Sequence, residues 1–413
     1  MTLFDRSRAA HFNGIALFLV LALLVSTPVR VHVLIALLAL YAMVYLVLAR
    51  ESVKLSALDY CVLTMLSLYA ISHIPVFWLS DFSWRYLSPG LHMVAVIPIY
   101  LMLRHASPAI SLTRYRDYME WGSVIGALGA ATIAIFQTQW QGNYKADGFL
   151  FHINFGYLSC SLLLICAALM QGSSRKFLLA LGVLAGLAAT LLSISRGAIF
   201  VIPLVLAMLL VLNFSRIGAL RVTVVVIGFL ALAVISYATV PLVKDRMHFT
   251  VQEFTSIAKG NVESAISSGG RLQLWRAATE AFKERPSIGL TYDEREVLNH
   301  ELVDEGVVTE WVLGVSRGHA HSQYFETLAT GGLIGALALV FYLILPAFYY
   351  AFMHVRQRDN TFALVGLVFS AGFILFCLTE VALQHEMIGT YYAYMQAVIF
   401  VLFLNSKNVV SRD

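Results

Sequence analysis

Long apolar segments recur along nearly the whole chain, and they limit what it can fold into more than any other feature. A helix that spans a bilayer needs roughly 20 apolar residues. Twelve stretches are candidates for such helices, at 12–27, 31–49, 57–79, 90–104, 121–138, 149–170, 177–194, 197–213, 221–240, 322–352, 361–384 and 387–405. Only 13% of the 413 residues are charged, against roughly 25% in soluble domains. We therefore expect an all-α polytopic membrane protein with about 12 transmembrane helices.

Lysine and arginine are distributed unevenly between the loops, and this predicts the orientation of the chain. With the N-terminus in the cytoplasm, the cytoplasmic segments carry fifteen basic residues: Arg6, Arg8, Arg50, Lys54, Arg104, Arg114, Arg116, Arg175, Lys176, Arg216, Arg221, Arg356, Arg358, Lys407 and Arg412. The short outer loops carry four: Arg30, Arg85, Lys145 and Arg196. Because cytoplasmic loops are enriched in Lys and Arg, we expect both termini to be cytoplasmic.

One long polar insertion divides the chain into three parts, at 1–240, 241–320 and 321–413. We expect nine transmembrane helices, then an outer loop subdomain, then three transmembrane helices and a cytoplasmic tail. Apolar residues recur at helical spacing from Met247 to Ile257 and again after Gly269-Gly270. This pattern predicts two amphipathic helices near the membrane surface, followed by an acidic, less regular segment from Asp293 to Glu310.

Polar side chains within the apolar segments fall on one side of the predicted membrane. All of the following map to the outer half: His73, His92, Gln137, His152, Asn154, Arg196, Glu380, Gln384 and His385. A transporter is expected to place such groups near the midplane, whereas an enzyme acting at the outer face needs them where they occur. A single polar residue in a span is more often a packing residue. The interpretation as an enzyme therefore depends on the fact that all of these residues lie on the same side of the membrane.

Three arginines are candidates for binding an anion. Arg196 lies in the turn between the seventh and eighth predicted spans, Arg271 follows Gly269-Gly270 at the expected start of a helix, and Arg276 lies five residues further on. A guanidinium group stays protonated and offers a fork of donors that matches phosphate. The alternatives are an interfacial anchor for Arg196 and a solvated helix face for Arg271 and Arg276.

Two histidines, His319 and His321, stand where the polar loop meets the apolar tenth segment. If His321 lies in the first turn of that helix, the helix dipole disfavours the imidazolium form, and a neutral imidazole is what a general base needs. For His319 a capping or loop role is the simpler interpretation. A zinc site with Glu301 or Glu310 is an alternative, although two histidines without a third fixed ligand are weak evidence for it.

The sequence His321-Ser-Gln-Tyr-Phe-Glu, with the following Gly331-Gly332-Leu-Ile-Gly335, resembles a signature of the O-antigen ligase and O-antigen polymerase superfamily, in which His-Asn-x-Tyr-Leu precedes Gly-Leu-x-Gly. Ser-Arg-Gly at 195–197 and Gly-Arg-x-x-x-Trp at 270–275 are similar to two further marks of that superfamily. One departure is Ser322, where asparagine is usual.

The resemblance implies a metal-independent glycosyltransferase without a cofactor, acting at the periplasmic face of a bacterial inner membrane. Its donor would be a polysaccharide on undecaprenyl diphosphate, and its acceptor a sugar hydroxyl of lipid A-core. His321 would be the catalytic base, while Arg196 and Arg271 would stabilise the leaving diphosphate. Arg85, Arg276 and His319 are candidate substrate-binding residues.

We expect a monomer whose partners are these two lipids and the membrane itself, with no nucleic acid. An O-antigen polymerase and a protein O-oligosaccharyltransferase of the same superfamily remain alternatives. A transporter of lipid or polysaccharide is the alternative of another class.

Overall fold

A computed structural model describes residues 5–49, 53–239, 241–259, 268–315 and 319–410. These residues form α-helices and contain no β-strand. The helices are α1 Arg6–Leu23, α2 Val31–Ala49, α3 Ala57–Ser72, α4 Ile74–Leu79, α5 Trp84–Val94, α6 Ile97–Ala106, α7 Leu112–Ile135, α8 His152–Leu169, α9 Lys176–Leu192, α10 Arg196–Leu212, α11 Phe214–Ile217, α12 Ala219–Thr239, α13 Pro241–Ala258, α14 Ser268–Glu284, α15 Tyr292–Asp304, α16 Gln323–Leu339, α17 Leu345–Arg356, α18 Thr361–Thr379 and α19 Glu386–Val410. Arg50 and Arg412 lie outside the described residues.

Eight helical segments among the described residues are long and apolar enough to span a membrane. They are Val31–Ala49, Ala57–Leu79, Trp84–Ala109, Leu112–Trp140, His152–Leu169, Gln323–Arg356, Thr361–Thr379 and Glu386–Ser406. Three shorter apolar helices are Lys176–Leu192, Arg196–Leu212 and Ala219–Gly228. The first predicted span belongs to α1, which is less apolar because it begins with Arg6 and Arg8. The predicted fold class, an all-α polytopic membrane protein, is confirmed.

The chain forms two compact units, and the first consists of Met1–Pro203 and Ile334–Asp413. Within it α19 packs against α2, α5, α6 and α18, while α7, α8 and α9 pack against one another. Both α2 and α19 are strongly apolar, but α19 buries Tyr391 and Tyr392 completely, whereas Leu37 on α2 is 60% exposed. In a membrane protein an exposed apolar face is compatible with lipid. We therefore interpret α19 as a core helix and α2 as a peripheral one.

A buried ion pair joins two spans of the first unit. Asp59, which is fully buried, accepts hydrogen bonds from Tyr100 at 2.6 Å and from Arg104 at 2.5 Å. Asp59 also completes a capping box with Ser56 at the start of α3. From the sequence, Arg104 was expected to be one of several loop cations. In the structure its guanidinium group neutralises the carboxylate of Asp59 on α3.

The second unit, Leu204–Leu333, contains the helices of the polar insertion. Leu274, Ala278 and Ala281 on α14 are at most 2% exposed, so the predicted apolar face of this helix is a core face. The predicted apolar face of α13 differs, because Val251 and Phe254 are 59% and 63% exposed. Both predicted helices are present, but the apolar face is buried in α14 and exposed in α13.

The expected irregular segment from Asp293 to Glu310 is wrong over its first two thirds, up to Asp304, because α15 extends from Tyr292 to Asp304. A capping box starts this helix: Thr291 accepts the N–H of Glu294, and Glu294 accepts the N–H of Thr291. Glu294 also pairs with Arg285 at 2.7 Å. Partial burial raises the pKa of Glu294, but the hydrogen bonds from Arg285 and Thr291 outweigh it and lower that pKa. Acidic side chains at a helix start interact favourably with the helix dipole. The acidic residues here therefore mark the start of a helix and not an irregular segment.

Candidate active site

The segment His319-Ala320-His321 lies directly before α16, which begins at Gln323. Ala320 is fully buried and belongs to an apolar cluster that includes Ala278, Leu290 and Ala329. The rings of His319 and His321 lie 4.2 Å apart, with an edge-on angle of 65°. A small apolar residue thus anchors the segment, and the two imidazoles flank this anchor. We call these three residues the two-histidine loop; the preceding Gly318 lies outside the described residues.

His321 does not lie in the first turn of the helix, so that expectation is wrong. The carbonyl of Ser322 accepts the N–H of Glu326 at 2.9 Å, which makes Ser322 the N-cap residue and puts His321 one position before it. Serine and asparagine are both favoured at an N-cap, so serine satisfies the same local requirement as the asparagine of the related signature.

The backbone of His321 adopts a left-handed conformation with φ +44°. For a residue with a side chain this costs roughly 1–2 kcal/mol, and such strain tends to cluster at functional sites. The N–H of His321 donates to Nδ1 of His319 at 3.3 Å. When His319 is neutral, its proton must therefore lie on Nε2.

Glu326 holds the two-histidine loop from the side of α16. Its Oε2 accepts the N–H of Ala320 at 2.8 Å, and its Oε1 accepts from Tyr292 at 2.7 Å and from Arg295 at 2.9 Å. Glu326 is fully buried, and Tyr292 and Arg295 are at most 5% exposed. A hydrogen bond to a charged group contributes roughly 1.5–3 kcal/mol, enough to offset the backbone cost at His321. We call Glu326, Arg295 and Tyr292 the carboxylate clamp.

Sequence reasoning missed the carboxylate clamp, although Glu326 stands within the stretch that carried the family resemblance. Arg295 and Tyr292 lie in the segment expected to be irregular. The available signal was the capping box at Thr291 and Glu294, which predicts a helix and places Tyr292 and Arg295 within one turn of each other.

The helix that carries Arg271 begins at Ser268, three residues earlier than expected. Arg271 therefore lies inside the first turn rather than at its start. The carboxylate of Glu253 accepts the N–H and the hydroxyl of Ser268, both at 3.0 Å. The backbone N–H of Ser268 is therefore bonded to Glu253 and is not available to bind an anion at this helix start. Arg271 is half-buried and Arg276 is exposed.

Two aromatic contacts explain the other members of the Gly-Arg-x-x-x-Trp pattern. Trp275 on α14 stacks on Phe325 on α16, with ring centres 4.9 Å apart and planes inclined by 10°. Trp311 lies over Gly270, where an added Cβ would come within 2.4 Å of its ring. Gly270 is thus required for the close approach of Trp311. Trp275 joins α14, the helix of Arg271, to α16, the helix that follows His321.

Gly332 breaks α16 where a connecting loop crosses it. Its backbone has φ +56° and ψ −151°, a region that only glycine adopts readily. An added Cβ would come within 2.6 Å of Pro286, Ser287 and Ile288. Leu333 donates its N–H to Pro286 at 2.8 Å. Gly332 of the signature therefore lets the α14–α15 connection join α16 through backbone contacts.

Arg196 is the first residue of α10, in the first unit. The turn before it contains Ile194 in a left-handed conformation with φ +53°. Gly197 packs so closely that an added Cβ would lie 2.3 Å from Thr379 Oγ1 and 2.7 Å from the hydroxyl of Tyr157. The turn is therefore held in place by neighbouring helices, and the half-buried Arg196 emerges from a fixed backbone.

The remaining candidates have simpler surroundings. Arg85 was expected in a loop, but it lies in the first turn of α5 and is exposed. Gln137 binds Asp147 and Gly148 of the following loop through hydrogen bonds of 2.8–3.1 Å, which supports a structural role. Glu301 lies on α15 and Glu310 begins a short 3₁₀ helix, both with exposed side chains.

The long apolar helices and the set of polar residues at their ends define a multi-pass membrane protein. Residues 181–340 match the model of the family described as "O-Antigen ligase". Members of that family are membrane glycosyltransferase-like enzymes. The chain is also 23% identical to an uncharacterized protein of Haemophilus influenzae over 282 residues, which are 64% of this chain and 68% of that protein.

Proposed function

We propose that this protein is an O-antigen ligase, which transfers polysaccharide from undecaprenyl diphosphate to a sugar hydroxyl of lipid A-core. The reaction would take place at the periplasmic face of the bacterial inner membrane, with both termini in the cytoplasm. The observation that carries the proposal is an imidazole held on a strained backbone by buried contacts, inside the segment that matches the ligase family. The same segment includes Arg196 and Arg271.

His321 is the proposed general base. A general base needs the neutral form of the imidazole. The ring would remove the proton from the acceptor hydroxyl, whose oxygen forms the new bond to the anomeric carbon. The bond to the diphosphate oxygen breaks, and its electron pair leaves with the diphosphate. Attack opposite the leaving group inverts the anomeric carbon. General base catalysis typically contributes about 10²- to 10⁴-fold.

Arg196 and Arg271 are the proposed electrostatic catalysts. Negative charge grows on the lipid diphosphate as the glycosidic bond breaks, and fixed donors aimed at developing charge contribute roughly 3–4 kcal/mol each. The tightly packed turn before Arg196 supports this role, because a preorganised cation does not have to reorganise during the reaction. Arg85, Arg276 and His319 are proposed to contact substrate.

Two fixed cations would also make a divalent metal unnecessary, so we propose a metal-independent transfer without a cofactor. The test is reconstitution: purified protein in lipid, given a defined polysaccharide on undecaprenyl diphosphate and lipid A-core, is expected to form the joined product in EDTA. Loss of the product in EDTA, with recovery on adding zinc, would support a zinc site instead. Formation of no joined product, with movement of the donor across the bilayer, would support a transporter.

The acceptor separates the ligase from its relatives. A polymerase is expected to extend a second lipid-linked repeat, and a protein O-oligosaccharyltransferase to glycosylate a protein hydroxyl, while both leave lipid A-core unmodified. In cells, deletion of a ligase leaves long polymer on the carrier lipid and bare core at the surface. Deletion of a polymerase leaves core capped by a single repeat. The protein is proposed to act as a monomer, without nucleic acid.

A further inference from the structure

The two oxygens of the Glu326 carboxylate bind two different elements. Oε1 accepts from Tyr292 and Arg295, which both belong to α15, and Oε2 accepts the backbone N–H of Ala320 in the two-histidine loop. Glu326 itself lies in α16. One buried carboxylate thus connects the helix of the polar insertion, the two-histidine loop and the helix that follows it.

A buried ion pair is weak evidence for stability, because removing two charges from water is costly and apolar replacements are often as stable. The presence of a buried ion pair is better explained if the pair holds the groups around it in one arrangement. The bond from Glu326 reaches a backbone N–H directly adjacent to His321, and the backbone of His321 is left-handed. Rotation of the His319–Ala320 peptide would break this bond and change the path of the backbone into His321, which would reorient the imidazole.

We propose that Glu326, itself fixed by Arg295 and Tyr292, is a positioning residue that sets the orientation of the His321 imidazole. This inference rests on the proposed function for its catalytic meaning, while the structural coupling can be tested without it. The carboxylate clamp touches the loop and not the substrate, so its loss is expected to lower kcat and to leave the KM for the donor nearly unchanged.

Glu326→Gln is the sharpest variant. Both carboxylate oxygens of Glu326 face donors, so the amide nitrogen of glutamine must oppose one of them. The positive charge of Arg295 favours the amide oxygen on the α15 side, which leaves the NH₂ group facing the N–H of Ala320. The variant is expected to keep the α15 contacts and to release the loop. We expect kcat to fall about 10- to 100-fold, as misplacing a reacting group by about 1 Å does.

Arg295→Met leaves the carboxylate of Glu326 buried without its cation, which is strongly destabilising. The double variant Arg295→Met/Glu326→Met removes both charges together with the acceptor of the Ala320 N–H, and it avoids that penalty. It is expected to unfold at a temperature close to that of the wild type and to show the same loss of kcat. The matched control is Arg285→Met, which breaks the more exposed pair with Glu294 in the same unit and is expected to keep full activity.

Hydrogen exchange of the peptide that contains Ala320 provides a readout that does not depend on transfer. Faster exchange in Glu326→Gln and in the double variant, together with a lower kcat and an unchanged KM, supports the proposal. Unchanged exchange overturns it, whether or not the wild type is active. Faster exchange with an unchanged kcat also overturns it, because the loop would then move without affecting the base. If the wild type forms no product, the proposed function fails, and exchange alone decides the structural coupling.

Discussion

The N–H of Ala320 donates to the carboxylate of Glu326 at 2.8 Å, so the residue between the two histidines is held by a side chain six positions further along. That bond holds the peptide between His319 and Ala320 against α16, and the N–H of His321 donates to Nδ1 of His319 at 3.3 Å. The backbone that carries both imidazoles is therefore held by the carboxylate clamp.

Replacing His321 with alanine is expected to reduce transfer by about 10²- to 10⁴-fold, because the variant loses the proposed general base. Binding of the lipid-linked donor should change little, since the diphosphate is assigned to the arginines. The measurement is transfer in proteoliposomes beside a donor-binding assay. His300→Ala is the matched control, because His300 is an exposed histidine on α15 in the same unit. Equal activity of the two variants would remove His321 from the mechanism.

Replacing Arg196 with lysine is expected to reduce kcat by about 10²- to 10³-fold, although the charge is kept. Lysine is a point charge and lacks the planar fork of donors that binds two phosphate oxygens together. The KM for the acceptor should stay near the wild-type value. Arg221→Lys changes an exposed arginine on α12 and serves as the control. Full activity of Arg196→Lys would indicate an interfacial anchor instead of an anion site.

Replacing Gly331 or Gly332 with alanine is expected to have unequal effects on the free energy of unfolding. At Gly332 the new Cβ meets three backbone groups within 2.6 Å at a positive φ, whereas at Gly331 its nearest neighbour is Thr327 at 3.8 Å. We expect Gly332→Ala to lower the free energy of unfolding by roughly 1–3 kcal/mol and Gly331→Ala to have little effect. Thermal unfolding in detergent measures both. Equal unfolding temperatures would contradict the close crossing of the α14–α15 connection.

The pair between Glu294 and Arg285 predicts a dependence of stability on pH. Because the pKa of Glu294 is lowered in the folded state, its contribution is present above the usual carboxyl value and is lost as the pH falls through the lowered pKa. Wild type should therefore exceed Glu294→Gln in unfolding temperature at pH 7, by an amount consistent with roughly 0.2–1 kcal/mol for a solvent-screened pair. The difference should shrink as the pH falls below the usual carboxyl value and through the lowered pKa of Glu294. A difference that does not change with pH would show that the carboxylate charge is not its source.

Most of the architecture was predictable because a membrane imposes a local rule. Each span must satisfy its own backbone hydrogen bonds, so a stretch such as 361–384 predicts a helix without reference to any other part of the chain. The same local logic identified the core face of α14 from Leu274 to Ala281. It failed at 293–310, where acidic residues were taken as a sign of irregular structure although two of them start α15.

The candidate residues were predictable as residue types, and their surroundings were not. Position at the ends of apolar segments indicated His319, His321 and Arg196 as candidates, because ionisable groups there are costly without a role, and the family resemblance implied that His321 is the base. Two features of their surroundings depend on residues that lie far away in the sequence, so no local pattern predicts them. They are the left-handed backbone at His321 and the bonded helix start before Arg271.

The sequence by itself determined that the chain is helical and membrane-spanning, and in which order its motifs occur, because hydropathy and helical period are properties of short segments. Only the tertiary structure decided that Arg295 meets Glu326, 31 residues away, and that Glu326 in turn holds Ala320. Partners of a buried charge are chosen by how helices pack, since the low dielectric of the interior makes an unpaired charge far more costly than any local preference.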